Sequence, residues 1–352
     1  MKQMLSELQQ LMNQINRPLK LMEVCGTHTV EIFRHGIRDV IPKSITLLSG
    51  PGCPVCVTSI HDVDAAIAIA RIPNVILTTF GDMMRVPGGK ESMLEARSQG
   101  ADIRVLYSPL DALKLAEQEP GNEIVFFATG FETTSPLIAA TLEYVEQKKI
   151  KNFTIYSSHK LVPPALKALL DCADVLVDGF ILPGHVSAII GTRPYEFVAS
   201  EYHKPSVVTG FEAHDIISGI LMIVRQINQK NAHVEIQYRS IVKEEGNPRA
   251  LNLLNKYFEP SDAYWRGIGV IPQSGLKLKE QYAFLDANVK FQPPSSDALE
   301  PEICSCGDIL RGVKLPTECA LFGAGCTPDN PVGPCMVSTE GSCAAYYKYG
   351  HS

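Results

Sequence analysis

Cys53 and Cys56 stand one CxxC apart in SGPGCPVCVTS, residues 49–59, a stretch built from Gly and Pro. No second CxxC occurs to complete a zinc site of paired knuckles. Upstream, MEVCGTHTVEIFRHGI puts Cys25 where a strand-like run ends and a helical pattern begins. A thiol at a helix N-terminus has its thiolate favoured by the helix dipole, and GPGCPVCVTSIHD repeats that geometry on the next turn. If the two strands are parallel neighbours, both turns lie at the carboxyl edge of one sheet, where ligand sites of open α/β sheets form. Three thiolates then converge. Soft sulfur ligands suit Fe(II), Zn(II) or Cu(I). The CxxC pair alternatively closes into a disulfide and acts as a redox switch, or is a buried structural element. His28, three residues past Cys25, faces the same helical turn. It is placed to hydrogen-bond a ligand, to shuttle a proton, or simply to pack the helix.

A second set of thiols lies in CALFGAGCTPDNPVGPCMVSTEGSC. There Cys319, Cys326, Cys335 and Cys343 follow at intervals of 7, 9 and 8 residues. Four thiolates suit a [4Fe-4S] cluster, although the spacing matches neither common ferredoxin pattern. Gly323, Gly325, Gly333 and Gly341 let the backbone wrap closely and aim N–H groups at sulfur. Cys304 and Cys306 are possible substitutes for one ligand, and structural zinc and disulfides are the competing readings. Cys172, alone in a helical pattern, reads as a small buried hydrophobe. Other loops offer Asp82 and Arg85 (GDMMRVPGG), Glu132, Thr133 and Thr134 (TGFETTSP), and His185 and Ser187 (LPGHVSAIIG). For each of these, plain loop hydrogen bonding competes with a site role, and Thr134 is also a candidate N-cap.

The elements that must position these groups follow from the pattern. The 352 residues, 45% hydrophobic, suffice for two or three domains. A net charge of −6 and the lack of basic runs exclude a nucleic-acid partner. The apolar run IISGILMIV is too short to span a membrane. The N-terminus MKQMLSELQQLMNQINRP is amphipathic and lacks the apolar core of a signal peptide, so a cytoplasmic location is expected, where ten cysteines argue for metal or redox roles rather than structural disulfides. Strand-like runs rich in Val, Ile, Phe and Leu, each followed by a helical pattern, predict an α/β fold with parallel sheets. TGFE occurs twice, at 129–132 and 209–212, each time between a strand and a helix. The expected architecture is two similar parallel-sheet α/β domains plus a smaller C-terminal iron–sulfur domain. The boundaries are 1–118 with the N-terminal helix, Cys25 and CxxC; 119–230 as the second α/β domain, opened by the link EPGNE; and 231–352 for the C-terminal domain. That last part is Gly-, Pro- and Cys-rich, and needs a covalent or metallic hold.

Taken together, MEVCGTH, SGPGCPVCVT, TGFETT, LPGHVSAIIG and FGAGCTPDNPVGPCMVSTEGSC resemble the hydrogenase maturation protein HypD family, in order, from about residue 18 to 350. One departure stands out. The family's first motif is often C-G-x-H-x-H, and Val30 occupies the second His position, so no role of that His carries over. The resemblance implies an assembly scaffold rather than a turnover enzyme. A HypC-type small partner would help it carry an iron that acquires cyanide and carbon monoxide. A HypE-type protein would supply the cyanide, and the Fe(CN)2CO unit would pass to the large subunit of [NiFe]-hydrogenase. By motif, Cys25 would be the main iron contact, with Cys53 and Cys56 completing the site or cycling as a dithiol, and the last four cysteines would hold a [4Fe-4S] cluster. From the residues themselves, a cluster-dependent disulfide reductase using Cys53–Cys56, or a zinc-stabilised α/β binding module, are the alternatives.

Overall fold

The computed structural model describes residues 1–350. Its strands are β1 (Leu19–Glu23), β2 (Ile45–Ser49), β3 (Val75–Thr79), β4 (Ile103–Val105), β5 (Glu123–Gly130), β6 (Phe153–His159), β7 (Gly179–Pro183), β8 (Ser206–Thr209), β9 (Val234–Ile236), β10 (Phe258–Trp265) and β11 (Gly269–Leu278). They form two parallel sheets, ordered β2-β1-β7-β8-β9 and β4-β3-β5-β6, and one antiparallel hairpin, β10–β11. The central strands are buried nearly throughout. Helices covering both faces of a parallel sheet require that.

The two α/β layers are as the pattern implies, but they are not consecutive halves of the chain. The 118/119 boundary falls inside the second sheet, where β5 pairs with β3 from Val75↔Glu123 to Thr78↔Phe126. The chain returns to the first sheet at β7, pairing Met22↔Phe180 with β1. Periodicity identifies strands, but each parallel pairing is made through a crossover whose destination the pattern does not encode. The stretch 231–352 likewise contributes to three places. β9 ends the first sheet. The helix Pro248–Tyr257 and the hairpin pack on the second sheet through Leu254, Tyr257, Leu276 and Leu278. Residues 304–350 form the cysteine-rich segment, with short helices at Cys306–Leu310, Pro334–Val337 and Ser342–Tyr349.

Strand order decides where a site can form. In the first sheet the chain runs outward from β1 to β2, then resumes on the opposite side at β7. The order therefore reverses between β1 and β7, and in the second sheet between β3 and β5. Crevices beyond the carboxyl ends of strands at such points are the ligand sites of open α/β folds. A shared core of Met22, Val24, Cys56, Phe131, Tyr195 and Trp265 joins the two edges. The N-terminal helix Lys2–Ile15 lies on the far face, where Leu8 and Met12 pack with Ile220 and Val224. Among the described residues, no helix is long and apolar enough to cross a membrane.

Candidate metal centre

Strands β1 and β2 are parallel neighbours in register Glu23↔Ser49, so the Cys25 and CxxC turns leave the sheet side by side. They are in backbone contact. Gly26 N–H donates to the Gly52 carbonyl at 2.9 Å, and Gly50 N–H to that of Glu23 at 2.7 Å. A Cβ on Gly52 would stand 2.1 Å from the Cys25 nitrogen and 2.3 Å from the Val24 carbonyl carbon. Only glycine admits this approach.

Cys25 is the extended N-cap of the helix Gly26–Arg34, without a side-chain cap bond. The Glu23 carboxylate takes the Cys25 N–H at 3.0 Å and the Thr29 hydroxyl. The dipole argument alone would lower the thiol pKa, but burial outweighs it. With the Cys25 residue 8% exposed, burial pushes its thiol up to about 12, helped by the nearby Glu340 and Glu23 charges. Burial likewise raises Glu23 to about 8 against its hydrogen bonds.

Cys53 caps the short helix Pro54–Val57, its sulfur accepting Cys56 N–H at 3.2 Å. It is joined to Cys56 in a disulfide with Cα atoms 5.3 Å apart. Both residues are buried. The following helix, Ile60–Ala70, is fastened to β6 through Asp62, which accepts from the Ser158 hydroxyl at 2.7 Å and the buried Lys160 ammonium at 3.3 Å. Burial would raise the Asp62 carboxyl, but Lys160 and these donors hold it below its usual value. The CxxC turn is thus tied to both sheets.

His28 does not face the thiols with its ring. The imidazole is fully buried against Thr209 and Gly210 at the end of β8, with Nε2 2.9 Å and 3.0 Å from their oxygens. Burial lowers its pKa to about 4, so it is a neutral ring. It stacks on Phe211, which also stacks on the exposed His185, 4.0 Å away, and meets Tyr238 edge-on. Asp82 and Arg85 reach the cysteine-rich segment at Ser338 and the Pro328 carbonyl. Thr134 occupies the N-cap of Ser135–Lys148 without a side-chain cap bond. Cys172 is half-buried rather than enclosed, and donates to the Ala168 carbonyl at 3.2 Å. Val30 lines an open cleft with Thr27, Arg85 and Glu340.

The cysteine-rich segment sits over both turns. Phe33 meets Tyr346 edge-on at 4.6 Å, and the Cys56 sulfur lies 3.9 Å from the Pro334 carbonyl, one residue before Cys335. The buried Arg266 adds a clamp: its N–H donates to Val57 at the end of the CxxC helix, and its guanidinium holds Glu300 and the Pro87 carbonyl. Cys304, Cys306, Cys319, Cys326, Cys335 and Cys343 all line one cavity, walled otherwise by Ile309, Leu321, Phe322 and Met336. Within it Cys306 and Cys335 are paired at 2.7 Å. Hydrogen bonds from Cys304 and Cys335 hold the Cys306 thiol well below its ordinary pKa, and Cys335 is raised correspondingly. Among the described residues no three ligand-type side chains already stand at metal-ready spacing. The fit to a [4Fe-4S] cluster rests on the donor set, six soft thiols in an apolar pocket, which is the chemistry such clusters require. Cys304 and Cys306 thus join the four cysteines singled out by spacing, and Cys335 is engaged with Cys306.

A family model described as HypD, hydrogenase formation hypA family, matches residues 1–350. The chain is 48% identical over 342 residues to hydrogenase maturation factor HypD2 of Bradyrhizobium diazoefficiens, covering 95% of this chain and 90% of that protein. It is 46% identical over 358 residues to HypD of Rhodobacter capsulatus, at 99% and 95% coverage. To HypD of Escherichia coli it is 44% identical over 334 residues, at 95% and 90%.

Two outcomes follow from this geometry. Gly52→Ala overpacks the seam and is expected to cost about 1–3 kcal/mol. The readout is a lowered urea midpoint at unchanged slope, with Gly121→Ala, whose Cβ meets nothing within 4 Å, as the neutral control. A Gly52→Ala midpoint equal to the control's would show that the seam is loose. The second concerns Glu132, whose carboxyl burial raises from 4.5 to about 7. The folded state holds this proton longer than the unfolded chain, so wild type loses stability as pH rises from about 4.5 to about 7, at about 1.4 kcal/mol per unit of pKa difference, and levels off above. Glu132→Gln removes that loss; parallel stability curves for the two proteins across the window would contradict it.

Proposed function

The chain belongs to the HypD family of hydrogenase maturation factors, and on that premise we propose that it is the scaffold on which the Fe(CN)2CO unit of [NiFe]-hydrogenase is assembled. The iron is cargo. Cys25 is its principal ligand, and Cys53 and Cys56 complete the site once their disulfide is opened, which takes two electrons and two protons. Cyanide and carbon monoxide bind an electron-rich iron best, because both accept back-donation, and thiolates supply electron density. Coordination also resolves the cost of the buried Cys25 thiol, since a bound metal displaces its proton. The observation that carries this reading is the shared carboxyl edge of β1 and β2, where the Gly26 N–H and Gly52 carbonyl lock the two cysteine turns together.

The six-thiol cavity is proposed to hold a [4Fe-4S] cluster, which when bound supplies one-electron redox chemistry. The cavity offers six thiols where such a cluster needs four, and the four expected from spacing, Cys319, Cys326, Cys335 and Cys343, are the ligands, with Cys304 and Cys306 beside them. The partners are a HypC-type small protein, a HypE-type cyanide donor and, indirectly, the hydrogenase large subunit. The open cleft beside Thr27, Val30 and Glu340 is where the small partner docks. Val30 gives that cleft an apolar wall where relatives of the motif carry a second histidine. A disulfide reductase acting on an outside substrate fits less well, because Cys53 and Cys56 are 3% and 0% exposed.

Cys25→Ala is expected to abolish iron–cyanide loading while the C-terminal iron and sulfide remain. Infrared spectra of the complex with its small partner test this, and unchanged cyanide and carbon monoxide bands in the variant would refute it. In the cysteine-rich segment, Cys335→Ala is expected to lose iron and acid-labile sulfide, whereas Cys304→Ala retains both. Retention of both in Cys335→Ala would remove Cys335 from the ligand set. Colourless protein carrying zinc and no sulfide would instead establish the zinc-stabilised module.

A further inference from the structure

The buried disulfide poses a problem of access. Cys53 and Cys56 are 3% and 0% exposed, so a reductant reaches their sulfurs only when part of their cover lifts. On one side the cover is fixed, because the seam between the Cys25 turn and Gly52 is backbone against backbone. On the other side it is the helix Pro334–Val337, with the Pro334 carbonyl 3.9 Å from the Cys56 sulfur. Cys335 of that helix is engaged with Cys306 at 2.7 Å. The helix is therefore tied to the start of the cysteine-rich segment, and what fastens that start decides whether the cover can move.

The fastening is a strap. Residues 292–305 contain no helix or strand, and no residue of 292–303 belongs to the buried core. Leu299 and Ile303 are 87% and 62% exposed. A groove of about 620 Å³ separates the strap at Ser296 and Ala298 from Asp64 and Ile67 of the helix Ile60–Ala70. Polar contacts hold the strap down. The Ser296 hydroxyl donates to Asp64, whose other oxygen accepts Gly89 N–H at 2.8 Å. Glu300 accepts from Arg266 Nε at 2.9 Å. Arg266 is 2% exposed, its guanidinium also reaches the Pro87 carbonyl at 2.7 Å, and its backbone N–H donates to the Val57 carbonyl at 3.0 Å. One residue thus ties the end of the CxxC helix to the strap, four residues before Cys304. Burial raises the Glu300 carboxyl even with Arg266 beside it, and its second oxygen has no partner. In such a pair desolvation nearly offsets attraction, and a segment with few buried apolar contacts opens at a fraction of the global stability.

We propose that the strap 292–303 is a releasable latch over the Cys53–Cys56 disulfide. When Glu300 parts from Arg266, the start of the cysteine-rich segment is freed, and with it the helix that covers Cys56. The latch needs only the disulfide and its cover, so it is independent of which metal the thiols carry.

The test follows reduction of that disulfide in the full chain by a water-soluble phosphine, which with one water is oxidised to its oxide as the disulfide becomes two thiols. Samples are quenched with an alkylating agent, and the peptide carrying Cys53 and Cys56 is read by mass spectrometry. Wild type, Glu300→Gln and Ser296→Ala are compared, and hydrogen exchange is measured on the same proteins. Glu300→Gln removes the charge at near-constant shape and is expected to speed reduction about tenfold or more, the effect of losing a hydrogen bond between charged groups. Ser296→Ala is expected to speed it by a smaller factor. Exchange is expected to rise at residues 53–57 and 292–307 while β5 stays protected. Acceleration in Glu300→Gln alone supports the latch with Arg266 as its single hold. Wild-type rates in both variants, or acceleration in Ser296→Ala alone, overturn it. Exchange rising in β5 as much as in the strap also overturns it, because the gain would then come from global unfolding. Wild-type protein in which Cys53 and Cys56 are already free thiols overturns it as well.

Discussion

The whole arrangement depends on one backbone seam. The loop after β2 passes so close to the Cys25 turn that residue 52 has no room for a side chain, and a hydrogen bond from Gly26 N–H to the Gly52 carbonyl closes the contact. Everything else in the site is placed relative to that seam. It sets Cys25 beside the CxxC turn, and the Asp62 network extends the same turn to β6 in the second sheet. The helix Pro334–Val337 then docks on the CxxC helix, with the Pro334 carbonyl against the Cys56 sulfur. A chain of sulfur-bearing turns runs from the edge of the first sheet to the six-thiol cavity, joined by the backbone seam and by buried side-chain contacts. Sites built on such rigid supports hold their geometry through a reaction cycle.

Burial is the second determinant, and it acts on three ionisable groups near the seam. It pushes the Cys25 thiol and the Glu23 carboxyl up, and the His28 imidazole down, in each case favouring the uncharged form. It also explains why the N-terminal helix dipole does not by itself yield a thiolate at Cys25. The helix N-terminus is a smaller influence than the loss of solvent around sulfur.

Much of this was legible from residue types. The pairing of β1 with β2 was implicit in two consecutive strand-to-helix turns each ending in cysteine, and the Gly-Pro-Gly of residues 50–52 was the visible mark of a close backbone approach. The parallel α/β class followed from buried strands such as Val75–Thr79 alternating with helices. The insertion of the second sheet between β2 and β7 was not legible, because strand sequences do not name their partners. Cys306 and Cys335 meet across 29 residues of the cysteine-rich segment, a contact that spacing alone did not show. His28, by contrast, was picked for its spacing from Cys25, but its ring turns to β8, where Thr209 and Gly210 offer the hydrogen bonds it needs once buried.

The most direct measurement is anomalous-scattering crystallography at the iron edge, on the complex of this chain with its small partner after anaerobic loading. The expected map has an isolated iron peak bonded to the Cys25 sulfur, next to the separated sulfurs of Cys53 and Cys56 and apart from any iron in the cysteine-rich segment. Iron confined to the cysteines of 304–343, with the Cys25 sulfur unliganded and the three N-terminal sulfurs too far apart to share a metal, would contradict the assignment.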